Sequence, residues 1–421
     1  MNIFFNKIYN YFLSSQDRIF SFKDLKKKNE IKKLFSIIKK NSFHSEIKYV
    51  GGCVRKILNN EEVDDIDFAV NLNPEMLKKI FHKNNVHFIE TGIKHGTITA
   101  IMNKYKFEIT SLRKDLTSDG RHAEVQFTKD WEEDSLRRDF TINSIYSDIN
   151  GKLYDPHNGK QDIESGNIKF IGDAENRIKE DYLRILRYVR FFLNYIKNDH
   201  YNLIKTIIKK NISGVTRISS ERLLDEFKKI VNSRNFLNLF KDEFCLEIIQ
   251  LIFPQFKNIN IFKNNNYIRI NDLDFVMILS LLLVDNTDNV NYFLYKYNLS
   301  NKQKKRILFI HKIFSTMSDK NFFSEKNLWK LYYQYGKENL YYLLYFKISN
   351  LKKENKKLNE LLIFFKKKKI PIFPISAKYL MSKYKIKEGK NLGIIIKKIE
   401  EKWINNEFKI SDNEIFKIIR N

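Results

Sequence analysis

The sequence predicts an α+β fold in which an N-terminal domain with a mixed β-sheet precedes an elongated, all-α remainder. Nine of the thirteen glycines lie between Gly51 and Gly172, where short β-rich runs alternate with helical patterns. After Gly172 the apolar residues recur at helical spacing almost to the end of the chain, with few turn residues between them. The predicted elements of the first part are helix Ile31–Lys40, strands Ile47–Val50 and Ile66–Val70, helix Glu75–His82, and strands Val86–Ile89, Thr97–Met102 and Phe107–Leu112.

The composition indicates the number of domains and the kind of partner. A chain of 421 residues exceeds what one hydrophobic core usually organises, so we expect about two to four domains. The 76 lysines and arginines against 50 aspartates and glutamates give a formal net charge of +26, which favours a polyanionic partner, nucleic acid before membrane. Lysine, asparagine, isoleucine and phenylalanine are abundant throughout, so biased codon usage is an alternative source of part of this charge.

The cysteines and the N-terminus indicate the compartment. Cys53 and Cys245 belong to no pairing motif, so we predict neither a disulfide framework nor a zinc site and expect a reducing cytoplasm. The apolar start of the chain is interrupted by polar residues and lacks a secretory cleavage site. No apolar run approaches membrane-spanning length, so we expect a soluble protein without membrane contact, and nothing implies a protein partner.

The first predicted strand leads directly into a glycine pair. Ile47–Val50 has the composition of a buried strand, and Gly51 with Gly52 predicts a tight turn where the backbone approaches another group closely. Val54–Leu58 then fits one or two helical turns, and Ile66–Val70 predicts the second strand. The sequence therefore predicts a strand, a glycine turn, a short helix and a second strand in this order.

Two aspartates mark the second strand. Asp65 and Asp67 are two residues apart, so on a strand their carboxylates would lie side by side. Neighbouring like charges are unfavourable unless a cation lies between them, and Mg²⁺ prefers such oxygen ligands. The alternative is an Asp-rich surface turn beside a structural glycine pair. Glu108 on its predicted strand is either a third carboxylate at this site or an ordinary solvent-facing residue.

Two stretches beyond these strands have less regular patterns. Thr91–Thr97 is a glycine-flanked turn into a strand, and a hairpin turn explains it as well as contact with a triphosphate does. Between Arg113 and Asp134, the residues Lys114–Ala123 show little periodicity. We interpret them as a mobile loop beside the site, because such loops can close over a ligand.

A polar cluster follows at Arg137, Arg138, Asp139 and Asn143. Adjacent arginines usually belong to a solvated face, but here they precede an apolar run that contains the asparagine. Arginine suits bidentate contact with phosphate, and the aspartate and asparagine suit ribose hydroxyls. The cluster therefore predicts a nucleotide-binding surface.

A second cluster lies on a predicted helix. Asp181 and Arg184 are three residues apart, so their side chains would be neighbours on that helix. They would form either an intrahelical salt bridge or an acceptor and donor set for the edge of a base. The predicted core face of the helix consists of Tyr182, Ile185, Val189 and Phe192.

Together these residues resemble the class II tRNA nucleotidyltransferases, which comprise the CCA-adding enzymes and the related bacterial poly(A) polymerases. The matching motifs follow the family's order over roughly the first 230 residues: Gly51-Gly52-x-Val54-Arg55, Asp65-x-Asp67, Gly96-Thr97, Glu108, the loop 119–123, Arg137–Asn143, Asp155–Asp162, Glu180-Asp181-x-x-Arg184, and Ser220-Glu221-Arg222 with Glu226. The chain departs from the family's usual residues at Lys56, Asn59-Asn60, Ser144 and Tyr182.

The resemblance implies a function and a set of site residues. It implies addition of CCA to the 3′ end of tRNA, with CTP and ATP as substrates and the 119–123 loop assisting the change from C to A. The implied catalytic residues are Asp65, Asp67 and Glu108, of which Asp65 and Asp67 would hold two Mg²⁺ ions. The implied nucleotide-binding residues are Gly51, Gly52, Arg55, Arg137, Arg138, Asp139, Asn143, Asp181, Arg184 and Arg187.

The resemblance also implies how the chain is divided. We expect a nucleotidyltransferase head at 1–155, a helical neck that recognises the base at 156–253, a helical body at 254–335, and a tail at 336–421. The helical parts would bind the acceptor and TΨC arms of tRNA, with lysine patches at 352–353, 356–357 and 366–369. The alternatives are a poly(A) polymerase, a specialist that adds only CC or only A, and a non-catalytic RNA-binding module.

Overall fold

In the computed structural model of the protein, the described residues are 19–118, 123–263, 273–351 and 353–420. The chain divides into two compact units, residues 1–252 and residues 253–421. Among the described helices, none is both long and apolar enough to cross a membrane. The finer division into four parts stays a prediction.

The first unit is built on a mixed sheet of seven strands. The strands of this unit are β1 (Ile47–Val50), β2 (Asp67–Val70), β3 (His87–Gly92), β4 (Thr97–Met102), β5 (Tyr105–Ser111), β6 (Arg113–Ser118), β7 (Ala123–Phe127), β8 (Tyr146–Ser147) and β9 (Leu153–Tyr154). In the seven-stranded sheet their order is β3-β4-β5-β2-β1-β8-β9. Strands β2 and β5 are parallel, and the other neighbouring pairs of this sheet are antiparallel. The predicted α+β class with a mixed sheet is confirmed.

Strands β6 and β7 pair with each other as a separate two-stranded hairpin. The interpretation of Lys114–Ala123 as a loop is therefore wrong for its described residues, which belong to these two strands. The hairpin lacks the usual alternation of apolar and polar residues, because its apolar side chains are not buried: Leu116 is 53% and Phe127 38% exposed. Residues 119–122, most of the loop 119–123, lie outside the described residues.

The described residues of the first unit also form eleven α-helices. They are α1 (Phe22–Lys27), α2 (Asn29–Lys39), α3 (Gly52–Leu58), α4 (Pro74–Lys83), α5 (Trp131–Leu136), α6 (Gly159–Ser165), α7 (Ala174–Glu180), α8 (Leu183–Tyr195), α9 (Asn202–Asn211), α10 (Ser220–Val231) and α11 (Glu243–Ile252). Phe35 of α2 packs on Tyr49 of β1 and Phe68 of β2, with ring centroids 5.2 and 5.8 Å away. This aromatic contact buries one face of the central strands under α2.

The helix predicted through Asp181 is interrupted. Helix α7 ends at Glu180, Asp181 has an extended backbone (φ −152°, ψ 101°), and α8 begins only at Leu183. The Leu183 N–H donates to Asp181 Oδ1 at 3.2 Å, a local bond by which aspartate competes with helix formation. The prediction that Asp181 and Arg184 share one helix with Tyr182 in its core face is therefore wrong. The other three predicted core residues, Ile185, Val189 and Phe192, are buried.

The second unit is helical in its described residues. Its helices are α12 (Phe275–Leu283), α13 (Asn289–Lys296), α14 (Asn301–Phe314), α15 (Glu325–Ser349), α16 (Lys356–Lys367), α17 (Ala377–Tyr384), α18 (Lys390–Asn405) and α19 (Asp412–Arg420). Every residue of α12 is buried, and the hydroxyl of its Ser280 lies 2.7 Å from that of Tyr342 on α15. Helix α15 consists of two helical stretches that meet at Gly336, whose φ is 80°.

Candidate active site

The glycine pair joins strand β1 to helix α3. Gly51 has φ +66°, a backbone angle that L-residues with a side chain rarely adopt, and Gly52 is the first residue of the helix. A Cβ atom at Gly51 would lie 3.9 Å from Arg138 Nη1, and one at Gly52 would lie 3.9 Å from Arg55 Nη2. The two glycines therefore keep the backbone open toward a space that guanidinium groups line.

The three predicted catalytic carboxylates come together where strand β2 begins. The parallel pairing of β2 with β5 places Asp67 opposite Glu108, and Asp65 precedes β2 by two residues. Burial raises the pKa of Asp67 to about 6, and the negative charges of Glu108 and Asp65 add to the effect against the opposing influence of Arg138 and Arg55. A divalent cation held by oxygen ligands would relieve this repulsion, so the donor set fits Mg²⁺.

A buried aspartate that the sequence analysis did not select holds the two adjacent arginines. Asp134 accepts hydrogen bonds from Arg137 Nε at 2.8 Å, Arg138 Nη2 at 3.0 Å and the Tyr146 hydroxyl at 2.7 Å. Burial opposes its ionisation, but Arg138 and Arg137 hold the pKa of Asp134 well below its usual range. Its spacing of three and four residues before the arginines on a helix was the signal that could have found it.

A second network connects the head to helix α8. Asp139 Oδ2 accepts from Arg187 Nη2 at 2.5 Å, and its Oδ1 accepts from Asn143 Nδ2 at 2.9 Å and from the Phe140 N–H at 2.9 Å. Arg55 Nη1 donates to Asn143 Oδ1. Arg187 lowers the pKa of Asp139 in spite of burial. Both carboxylate oxygens therefore have protein partners, where the sequence analysis expected contact with a ribose.

The predicted base-reading pair does not form a direct ion pair. Asp181 Oδ2 accepts from Arg222 Nη2 at 2.7 Å, and Arg184 Nη1 donates to Glu180 Oε2 and to the Arg177 carbonyl, both at 2.7 Å. The intrahelical salt bridge considered for these two side chains is therefore wrong. Each side chain is oriented by another residue instead.

One cavity of about 410 Å³ is lined by the glycine turn and by some members of these networks. All ten residues predicted to bind nucleotide lie in its wall: Gly51, Gly52, Arg55, Arg137, Arg138, Asp139, Asn143, Asp181, Arg184 and Arg187. Leu183, Arg190, Phe191 and Arg222 complete the lining. The cavity thus has seven arginines against two aspartates, which suits a ligand with several negative charges such as a triphosphate.

Arg190 and Arg222 were not among the predicted nucleotide-binding residues. Arg190 follows Arg184 and Arg187 at a spacing of three on helix α8, so this repeat could have identified it. Its Nε donates to the buried Glu226 of α10. Arg222 lies on the same helix α10, far from the cavity in the chain, so only its place in the resemblance pointed to it.

Known proteins match both the sequence and the fold. Residues 47–169 match the family model described as the poly A polymerase head domain. The chain is 32% identical over 381 residues to the CCA tRNA nucleotidyltransferase 1, mitochondrial, of Mus musculus, covering 89% of this chain and 86% of that protein. It is also 32% identical over 319 residues to the CCA-adding enzyme of Staphylococcus haemolyticus, covering 74% and 75%.

This chain belongs to the CCA-adding tRNA nucleotidyltransferase family. The crystal structure of the Bacillus stearothermophilus CCA-adding enzyme in complex with CTP superimposes with a TM-score of 0.70 at 22% identity, over 93% of this chain and 97% of that one. The Thermotoga maritima CCA-adding enzyme complexed with tRNA gives a TM-score of 0.64 at 22% identity, over 93% and 96%. At this identity the two structures show a shared fold, and the resemblance to the CCA-adding family is confirmed.

The roles of the individual cavity residues, the number of Mg²⁺ ions and the cytoplasmic location stay predictions. The mouse relative is named mitochondrial.

Proposed function

We propose that this protein adds or repairs the 3′-terminal CCA of tRNA, taking the nucleotides from CTP and ATP. The observation that carries the proposal is the arginine-lined cavity next to the Asp65, Asp67 and Glu108 carboxylates. Family membership and a fold shared with CCA-adding enzymes described in complex with CTP, ATP or tRNA support it. The cavity would hold the triphosphate, and the carboxylates would face the reacting phosphate.

The carboxylates would hold the metal. Asp65 and Asp67 are the proposed ligands of two Mg²⁺ ions, with Glu108 as the third acidic group. Bound Mg²⁺ would lower the pKa of the tRNA 3′-hydroxyl and would stabilise negative charge on the triphosphate and the leaving pyrophosphate. The raised pKa of Asp67 reflects burial and repulsion by the neighbouring carboxylates, and a bound cation would offset that repulsion.

The arginines and Asp181 would bind and select the nucleotide. Asp134 and Asp139 fix three arginines of the cavity in place, so their guanidinium groups can orient a triphosphate without rearranging. Asp181 can accept from the amino group of cytosine or adenine, while Arg184 donates to a ring nitrogen. Uracil offers a donor and an acceptor in the reverse order, so its use would leave buried polar groups unpaired.

The second unit would contribute to tRNA binding. The described side chains of its lysine patches, Lys353, Lys356, Lys357 and Lys366–Lys369, are exposed, and Lys352 lies outside the described residues. Exposed lysines that contact tRNA phosphates release counterions, so the logarithm of the tRNA Kd should rise steeply with the logarithm of salt concentration. A weak salt dependence would argue against tRNA as the main ligand.

The test is nucleotide addition to tRNA lacking its CCA end. The protein is incubated with Mg²⁺ and this tRNA together with CTP, ATP, both, or UTP and GTP, and the products are read on a sequencing gel. Addition of C, C and one A is the expected result. A long A-tail on varied RNAs would indicate a poly(A) polymerase. Addition of A only to tRNA that already ends in CC would indicate an A-adding specialist. Tight tRNA binding without addition would indicate a binding module.

A further inference from the structure

The junction that carries Asp181 is held by one later segment of the chain. This segment, 212–222, comprises the 3₁₀ helix Ile212–Arg217 and the start of α10. It supplies Arg222, whose Nη2 lies 2.7 Å from Asp181 Oδ2, and Arg217, whose guanidinium lies 5.7 Å from the ring centroid of Tyr182. Tyr182 is the residue directly between Asp181 and the first residue of α8. The segment therefore touches the junction at two consecutive residues.

The segment makes a further contact with the junction, between Gly214 and the Tyr182 ring. Gly214 is buried, and a Cβ atom built on it would lie 2.0 Å from Tyr182 Cε1, 2.2 Å from Cδ1 and 2.3 Å from Cζ. Real Cβ atoms essentially never approach other heavy atoms this closely. Since the backbone of Gly214 is not in the left-handed region, the glycine is required by the close approach of the ring and not by its own backbone conformation.

We propose that the contact of Tyr182 with Gly214 is a positioning contact that sets where Asp181 presents its carboxylate in the nucleotide cavity. The inference rests on the proposed function and adds two residues outside the cavity wall to the determinants of nucleotide choice. Asp181 lies between two helices with an extended backbone, and among the described residues its carbonyl accepts only the Arg184 N–H at 3.0 Å, so a continuous helical ladder of hydrogen bonds does not hold it. A shift of the adjacent ring moves its backbone, and a displacement of about 1 Å is enough to impair an aligned hydrogen bond.

Three variants test the contact. Gly214→Ala forces the ring away, Tyr182→Ala removes it, and Tyr182→Phe keeps the three ring carbons that face Gly214. For the first two we expect the ratio of kcat/KM for CTP to that for UTP, measured on tRNA lacking CCA, to fall on the order of tenfold to a hundredfold. Tyr182→Phe should retain the ratio. Gly393→Ala on α18, where an added Cβ meets nothing within 4 Å, is the matched glycine control.

Equilibrium binding separates this inference from the proposed function. The ratio of Kd values for CTP and UTP is measured on the same proteins without tRNA, and circular dichroism confirms folding. If the wild type adds no nucleotide to tRNA, the proposed function fails while the Kd ratio still tests the contact. If folded Tyr182→Ala keeps the wild-type ratio of Kd values, or loses affinity equally for CTP and UTP, the inference is overturned. Should Gly214→Ala fail to fold, the two Tyr182 variants decide.

Discussion

The carboxylates of the first unit form two groups, Asp65, Asp67 and Glu108 near the start of β2 and the buried pair Asp134 and Asp139, and the pKa of Asp67 is shifted in the opposite direction to those of Asp134 and Asp139. Asp67 has a raised pKa, because burial and the neighbouring Glu108 and Asp65 all disfavour its charge. Asp134 and Asp139 are more deeply buried, but their pKa values are lowered by the arginines that donate to them. The partner, and not the depth of burial, decides the charge. The first group is suited to receive a cation, and the second to hold arginines in place.

The largest expected effect concerns the first group. Asp67→Ala or Asp65→Ala should lower the rate of nucleotide addition by about 10³-fold or more, since several kcal/mol of charge stabilisation are lost. Binding of tRNA should stay within about twofold, because exposed lysines elsewhere contribute most of it. Addition assays and filter binding measure the two quantities. Retained turnover in either variant would contradict the metal-ligand role.

Substitution in the second group, Asp134 and Asp139, should lower the stability of the protein. Asp134→Asn removes the negative charge between Arg137 and Arg138 and should reduce the free energy of unfolding by about 3 kcal/mol, the usual loss when one partner of a buried ion pair is removed. Urea denaturation measures it. Glu164→Gln is the control, because Glu164 pairs with Lys160 at 3.7 Å on the surface and should change stability by less than about 0.5 kcal/mol. Equal effects would mean that the network does not hold the arginines.

Removal of the charge of Asp67 should increase stability, the opposite of the effect expected at Asp134. An unfolded aspartate ionises near its ordinary pKa of 3.8, and folded Asp67 near 6, so wild-type stability falls as pH rises between these values. Without Mg²⁺, Asp67→Asn should therefore increase the free energy of unfolding at pH 7.5 by about 1–3 kcal/mol, and the gain should vanish near pH 3.5. Urea denaturation at both pH values measures this. A gain that is the same at both would show that charge is not its cause.

The smallest expected effect concerns the glycine that opens the cavity. Gly52→Ala creates no clash within the protein and can stabilise α3 by up to about 1 kcal/mol, yet it fills space next to Arg55. We expect unchanged or increased thermal stability together with a CTP Kd raised on the order of tenfold. Thermal unfolding and CTP titration give the two values. An unchanged Kd would place the triphosphate away from this turn.

Local patterns predicted some parts of the molecule well and others poorly. The bounds of β1 and β4 agree with prediction, because each strand is a short apolar run next to glycines or polar turns. The hairpin of β6 and β7 was missed because its apolar residues are exposed. The break at Asp181 was missed because the apolar spacing continues across it, while the bond from the Leu183 N–H depends on local geometry.

The sequence by itself determined the family, the mixed sheet followed by helices, and most of the charged residues that line the cavity, since these depend on residue types and their spacing. The tertiary structure alone decided which charges lie next to one another. Asp67 lies opposite Glu108 through the pairing of β2 with β5, and Asp181 meets Arg222 through the packing of α10 beside α8. The physical reason is that charge interactions depend on distance in space, which the fold sets for residues far apart in the chain.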